Sequence, residues 1–273
     1  MIGEPVLSRA ELKGDGWELN LTPARAGWEF SGLRIARLDS GESRSITSGG
    51  DELVLFPLEG GCDIEVAGER HVLRPRTDAF VGAPDVLYVP RDTDAVVHSA
   101  HGVRLAVCSA VAEKRHPVQW VAAEDLPVNT RGAGLMAREV RDLAAVGVVE
   151  ADRIIVCEVI TPRGNWSSYP PHKHDVDAET ESALEELYYF EASESVRDVP
   201  IGYARLSASD GRPDDRTLPF RDGDTVIVPD GWHGPVLAAP HAELYQLNVM
   251  AGPGPRRWLV TDHPEYGWVR DTW

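Results

Sequence analysis

His172 and His174 stand one residue apart in the stretch GNWSSYPPHKHD, Gly164 to Asp175. On a β-strand, side chains at i and i+2 leave the same face, so both imidazoles can reach one ion. A divalent cation needs further donors, and the chain offers two. Glu186 opens the strand-like run Leu187-Tyr188-Tyr189-Phe190. His233 follows the run Thr225-Val226-Ile227-Val228 through the turn Pro229-Asp230-Gly231-Trp232. Three neutral imidazoles and one carboxylate form a borderline-soft N/O set, suited to Zn²⁺, Mn²⁺ or Fe²⁺ and poorly suited to Ca²⁺. Zn²⁺ is the first expectation. Glu186 is preferred to Glu179 and Glu185 because it heads a rigid run, whereas Glu179 lies in DVDAETESALE, which reads as a solvated acidic excursion. His71, His98, His101, His116, His241 and His263 read as structural or exposed.

Such donors must be carried by strands. With 25 Gly and 20 Pro, long helical periods have little room, and short apolar runs bounded by Gly, Pro and Asp recur instead. ELVLFPLEGG, DVLYVP, GVRLAVCSA, RIIVCEVI, LYYF, DTVIVP and AELYQLNVMAG predict an all-β chain with few short helices, built as antiparallel barrels or sandwiches. The best helix candidate is RGAGLMAREVRDLAA, between the strand-rich halves. The halves echo each other. Asp51-Glu52-Leu53-Val54-Leu55-Phe56 resembles Glu185-Glu186-Leu187-Tyr188-Tyr189-Phe190, which aligns Glu52 with Glu186, and Leu87-Tyr88-Val89-Pro90 resembles Val226-Ile227-Val228-Pro229. The repeat predicts two β-barrel domains, residues 1–125 and 126–273.

A net charge of -17, from 44 acidic and 27 basic side chains, repels phosphate backbones and anionic lipid heads. Nucleic acid and membrane are therefore excluded as expected partners. No stretch approaches the roughly 18 to 20 apolar residues of a membrane span, and the first residues lack the pattern of a secretory signal. Cys62, Cys108 and Cys157 lie far apart in apolar runs and read as inert thiols of a cytoplasmic protein.

The donor set resembles the cupin superfamily, whose first motif carries HxH then Glu and whose second carries Pro-x-Gly then His. The usual cupin spacing would select Glu179 instead of Glu186. By the same spacing the first half offers Ser45 and Thr47, with Asp94 beyond Pro90, where histidines would be needed. The N-terminal domain is thus expected to be a degenerate cupin without metal, and the whole a bicupin. The stretch from Gly164 to Asp175, with LEELYY, GDTVIVPDGWHGPV and LNVMAGP, is similar to the 5-deoxy-glucuronate isomerase family of inositol catabolism, related to the 4-deoxy-5-threo-hexosulose-uronate ketol-isomerases. Gln246, where a second Tyr is expected, and Gly234 after His233 depart from that pattern.

The resemblance implies aldose–ketose isomerisation of 5-deoxy-D-glucuronate to 5-dehydro-2-deoxy-D-gluconate through a metal-stabilised enediolate. Its small-molecule partner is a sugar acid, and a homo-oligomer is expected. Tyr188, Lys173, Asp175 and Tyr245 are candidates for the proton shuttle, although Lys173 alternates with the histidines and would face away into water. Arg205 is the expected partner of the substrate carboxylate, because a guanidinium fork matches it. Trp166 and Tyr169 are candidate walls of the sugar pocket. The same four ligands would also suit an Fe²⁺ cupin dioxygenase or a non-catalytic sugar-acid-binding cupin.

Overall fold

The computed structural model describes residues 4–194, 198–208, 215–228 and 230–273. Pro229, part of the second metal motif, lies outside them. Alternating or wholly apolar runs form strands throughout, and every paired strand is antiparallel. Helix is confined to short pieces such as Arg9–Leu12, Pro23–Ala26 and the 3₁₀ segment Gly267–Thr272. No described helix is long and apolar enough to cross a membrane.

The N-terminal half is one nine-stranded sheet folded over itself. Its spine is Asp51–Val66, whose first part pairs with Val86–Val89 and Val103–Val111 and whose last part pairs with Glu69–Arg76 and Asp94–His98. A register irregularity between Pro57 and Glu59 marks the bend. The C-terminal half is a seven-stranded sheet facing a six-stranded one. The sheets pack as open sandwiches, and among the described residues none closes into a barrel. Val6–Leu7 pairs with Thr225–Val226, so the start of the chain joins the C-terminal sheet.

The expected helix over RGAGLMAREVRDLAA is absent. Gly134–Met136 forms a 3₁₀ turn and Arg138–Ala144 is a strand between Val128–Arg131 and Ile155–Thr161. Its helix formers yield to tertiary context, since Val140, Leu143 and Ala144 are buried only when the segment completes the sheet.

The internal echo is real but displaced by one residue. In each half four strands lie in the same order: Val86–Val89, Asp51–Val66, Val103–Val111, Ser31–Leu38, and Thr225–Val228, Glu185–Ala192, Leu244–Ala251, Ile155–Thr161. Leu53 faces Val89, and Glu186 faces Val228. Leu53 is therefore the counterpart of Glu186, and Glu52 that of Glu185. A one-residue slip reverses every side chain. Glu52 accordingly points at the other half, accepting the N–H groups of Asp152, Arg153 and Ile154 at 2.8, 2.6 and 2.7 Å. Glu185 does the reciprocal, accepting those of Glu29, Phe30 and Ser31 at 2.7, 2.9 and 3.0 Å.

Candidate metal centre

Both sheets of the C-terminal half contribute to one cluster. The six-stranded sheet carries His172 on the strand His172–Lys173, paired with His233 at the head of His233–Ala238. His174 lies just past its strand, held by the N–H of Leu184 on its carbonyl at 2.9 Å. The seven-stranded sheet presents Glu186 from the opposite side. The ligand nitrogens of the three imidazoles lie within 4.8 Å of one another.

The hydrogen bonds fix which nitrogen looks inward. His172 Nδ1 bonds the Pro170 carbonyl at 3.0 Å, His174 Nδ1 that of Leu184 at 3.1 Å, and His233 Nδ1 that of Gly231 at 3.0 Å. Each Nδ1 donates to its carbonyl, which turns the three Nε2 atoms towards the centre. His174 Nε2 lies 3.0 Å and His233 Nε2 3.3 Å from Glu186 Oε2, and the His233 atom is buried without a hydrogen bond. Three imidazole nitrogens and a carboxylate converging on one point make the N/O donor set that a divalent cation takes. The three-histidine group can hold a metal ion, and Glu186 is oriented to complete the set.

Electrostatics favour the ligating protonation state at His172 and Glu186; at His174 burial lowers the pKa, but the bond to Glu186 outweighs it and raises the imidazole above its ordinary value. Burial, then the His233 and His174 rings, push His172 down to about 3. Burial raises the Glu186 carboxyl, but its bonds from His174 and His233 outweigh that and hold it well below the ordinary range. Glu186 Oε1 accepts Asn248 Nδ2 at 2.9 Å, and Oε2 accepts the Tyr188 hydroxyl at 2.7 Å. Gln246 donates to Asn248 Oδ1 at 2.8 Å, so the Gln departure orients the amide that grips Glu186. The Gly234 departure has a steric cause: its φ is +93°, and a Cβ there would lie 2.0 Å from the Ser168 carbonyl oxygen.

A cavity of about 250 Å³ opens beside the cluster, lined by His172, Glu186, Tyr188, Asn248, Tyr169 and Cys157 among others. The expected site residues divide around it. Tyr188 and Tyr169 line the cavity; Trp166 packs edge-on against Tyr169 at 5.3 Å with its own ring partly exposed. Tyr245 projects from the other face of its strand and donates to Glu158 at 2.9 Å, in a buried network with Arg76. Lys173 faces away from the histidines, as alternation requires, but not into water. Its ammonium pairs with Asp175 and Glu181, and Asp175 accepts the Gly231 N–H at 2.9 Å. Arg205 is on the surface, paired with Asp215. Glu179 is exposed and outside the cluster. Ser45 and Thr47 are exposed too, with Ile46 pointing inwards between them. All three cysteines are free and buried, and burial pushes Cys62 up to about 12.

Sequence reasoning missed Asn248 and three cavity arginines, Arg131, Arg138 and Arg270. No local pattern could have found the arginines, because they come from segments that meet only after folding.

A family model described as the KduI/IolB family matches residues 6–269. The 5-deoxy-glucuronate isomerase of Geobacillus thermodenitrificans is 35% identical over 270 residues, covering 98% of this chain and 96% of that one. Among solved structures, an IolB-like protein from Salmonella typhimurium LT2 is similar with a TM-score of 0.87 and 30% identity, over 97% of this chain and 98% of that chain. The oxalate decarboxylase of Lactobacillus farciminis shares the fold at a TM-score of 0.66 but only 10% identity, over 96% of this chain and 89% of that chain.

Proposed function

This chain belongs to the KduI/IolB family, and on that premise we propose that it isomerises 5-deoxy-D-glucuronate to 5-dehydro-2-deoxy-D-gluconate in inositol catabolism. The observation that carries the reading is the convergence of three Nε2 atoms and Glu186 at the wall of a cavity of small-molecule size. A divalent ion held by His172, His174, Glu186 and His233, Zn²⁺ first and Mn²⁺ or Fe²⁺ as alternatives, supplies a Lewis acid for a substrate carbonyl.

The conversion moves a carbonyl from C1 to C2. A proton leaves C2 and one arrives at C1, and the hydroxyl proton of O2 passes to O1. No electron leaves the substrate. Of the four proton-shuttle candidates only Tyr188 borders the cavity. Burial and the adjacent Glu186 carboxylate raise its pKa well above the ordinary value, so its phenol stays protonated. It suits the step as a donor that holds a proton at a reacting oxygen. The apolar wall of Val140 and Val159 excludes water from the intermediate. A cytoplasmic, homo-oligomeric enzyme completes the proposal; three free buried thiols agree with a reducing compartment.

The test is incubation of metal-loaded protein with 5-deoxy-glucuronate under nitrogen in D₂O, followed by NMR. Ketose formation is expected without oxygen. Turnover that demands O₂ would identify a dioxygenase, and stoichiometric binding without conversion a sugar-acid-binding cupin.

A further inference from the structure

A sugar acid brings a carboxylate into this cavity, and the inference drawn here rests on the isomerase reading. Arg138 is 9% exposed and lines the same cavity as His172 and Glu186. Among the described residues no carboxylate pairs with it; its Nη1 donates to the Met136 carbonyl at 3.1 Å. A buried guanidinium without a counter-ion is costly and persists where it has work to do. Arg131 and Arg270 line the cavity as well. Arg131 reaches Asp142 only at 3.4 Å, while Arg270 pairs with Asp262.

Each of the three guanidiniums also lies over an aromatic ring. Trp273 lies 5.1 Å from the Arg138 guanidinium and 5.0 Å from that of Arg270, and Trp258 lies 4.9 Å from that of Arg131. Burial, then the charges of Arg131 and Arg270, lower the Arg138 pKa to about 10. An arriving anion relieves this crowding.

We propose that Arg138, flanked by Arg131 and Arg270, is the subsite that receives the substrate carboxylate, leaving the aldehyde end of the sugar towards His172 and Glu186. Arg205, on the surface with Asp215, does not take this part. The planar fork of Arg138 matches a carboxylate bidentately. The subsite therefore selects sugar acids over neutral aldoses inside a chain whose overall charge is -17.

The experiment compares metal-loaded wild type, Arg138→Gln and Arg270→Gln on 5-deoxy-glucuronate and on the corresponding neutral 5-deoxy-hexose. Metal content and thermal melting are measured alongside. For Arg138→Gln, KM for the acid is expected to rise on the order of 100-fold with kcat less affected, since the lost contact is ground-state binding. For Arg270→Gln the rise is expected to be about tenfold. Turnover of the neutral sugar and metal content should not change. A folded, metal-loaded Arg138→Gln with unchanged KM for the acid overturns the subsite. Should that variant fail to fold, Arg270→Gln, whose side chain reaches solvent, carries the same test. If wild type binds the acid in calorimetry without isomerising it, the functional reading fails, and the subsite stands or falls on whether Arg138→Gln loses that binding.

Discussion

Glu186 is one carboxylate with four claims on it. Asn248 holds Oε1, Tyr188 holds Oε2, and His174 and His233 turn their Nε2 atoms to the same Oε2. Replacing it by Gln keeps the shape but removes the negative charge that faces the two imidazoles. Glu186→Gln is expected to lower metal content after dialysis by at least about tenfold, while Glu179→Gln, on an exposed loop, leaves it unchanged. Metal analysis of the two purified variants checks this, and the reverse pattern would overturn the assignment. Glu186 was legible because it heads a run whose apolar residues demand a strand. Asn248 was not, since an amide in an apolar strand has no spacing of its own to announce it.

At the level of elements, the histidines depend on two turns being locked together. Lys173 binds Asp175 and Glu181, Glu181 also accepts the N–H groups of Asp175 and Val176, and Asp175 takes the Gly231 N–H. The HxH segment is thereby tied to the turn that delivers His233. Burial raises Asp175, but the Lys173 ammonium and the Gly231 N–H outweigh it and leave its pKa below the ordinary value. A depressed folded pKa stabilises above the unfolded value of about 3.9 and is lost as pH falls through the folded value. Between pH 6 and 3 the urea midpoint of wild type should therefore fall more steeply than that of Asp175→Asn; equal slopes would show that Asp175 carries no such coupling. The alternation of Lys173 with the histidines was readable from sequence, but its destination was not, because its partners fold back from Glu181. The same limit explains the helix expected over RGAGLMAREVRDLAA and the one-residue slip that matched Glu52 to Glu186. Local pattern identifies a strand, but which face is inward is settled only by the strand beside it.

Across the whole molecule, that slip exposes a reciprocal joint between the halves. Glu52 caps the segment entering Ile155–Thr161, and Glu185 caps the segment entering Ser31–Leu38, each with three successive backbone N–H groups. Between them runs one apolar cluster that includes Leu33, Val54 and Phe56 from one half and Leu187, Leu247 and Val249 from the other. Arg76 adds a buried pair to Glu158 across the same boundary at 2.7 Å. Neither half can expose this face without stranding donors and apolar surface, so the two are expected to unfold together. Tryptophan fluorescence and far-ultraviolet circular dichroism should report coincident urea transitions. Glu52→Ala leaves three N–H groups without an acceptor, two part-buried and one buried, and should cost about 3 kcal/mol or more. Glu185→Ala should cost less, about 1 to 2 kcal/mol, because the Glu29 N–H is exposed and water replaces the carboxylate there. In both variants the two signals should shift by the same amount. A Glu52→Ala protein in which one signal moved and the other held would show that the halves are independent folding units and that the joint is only a contact between them.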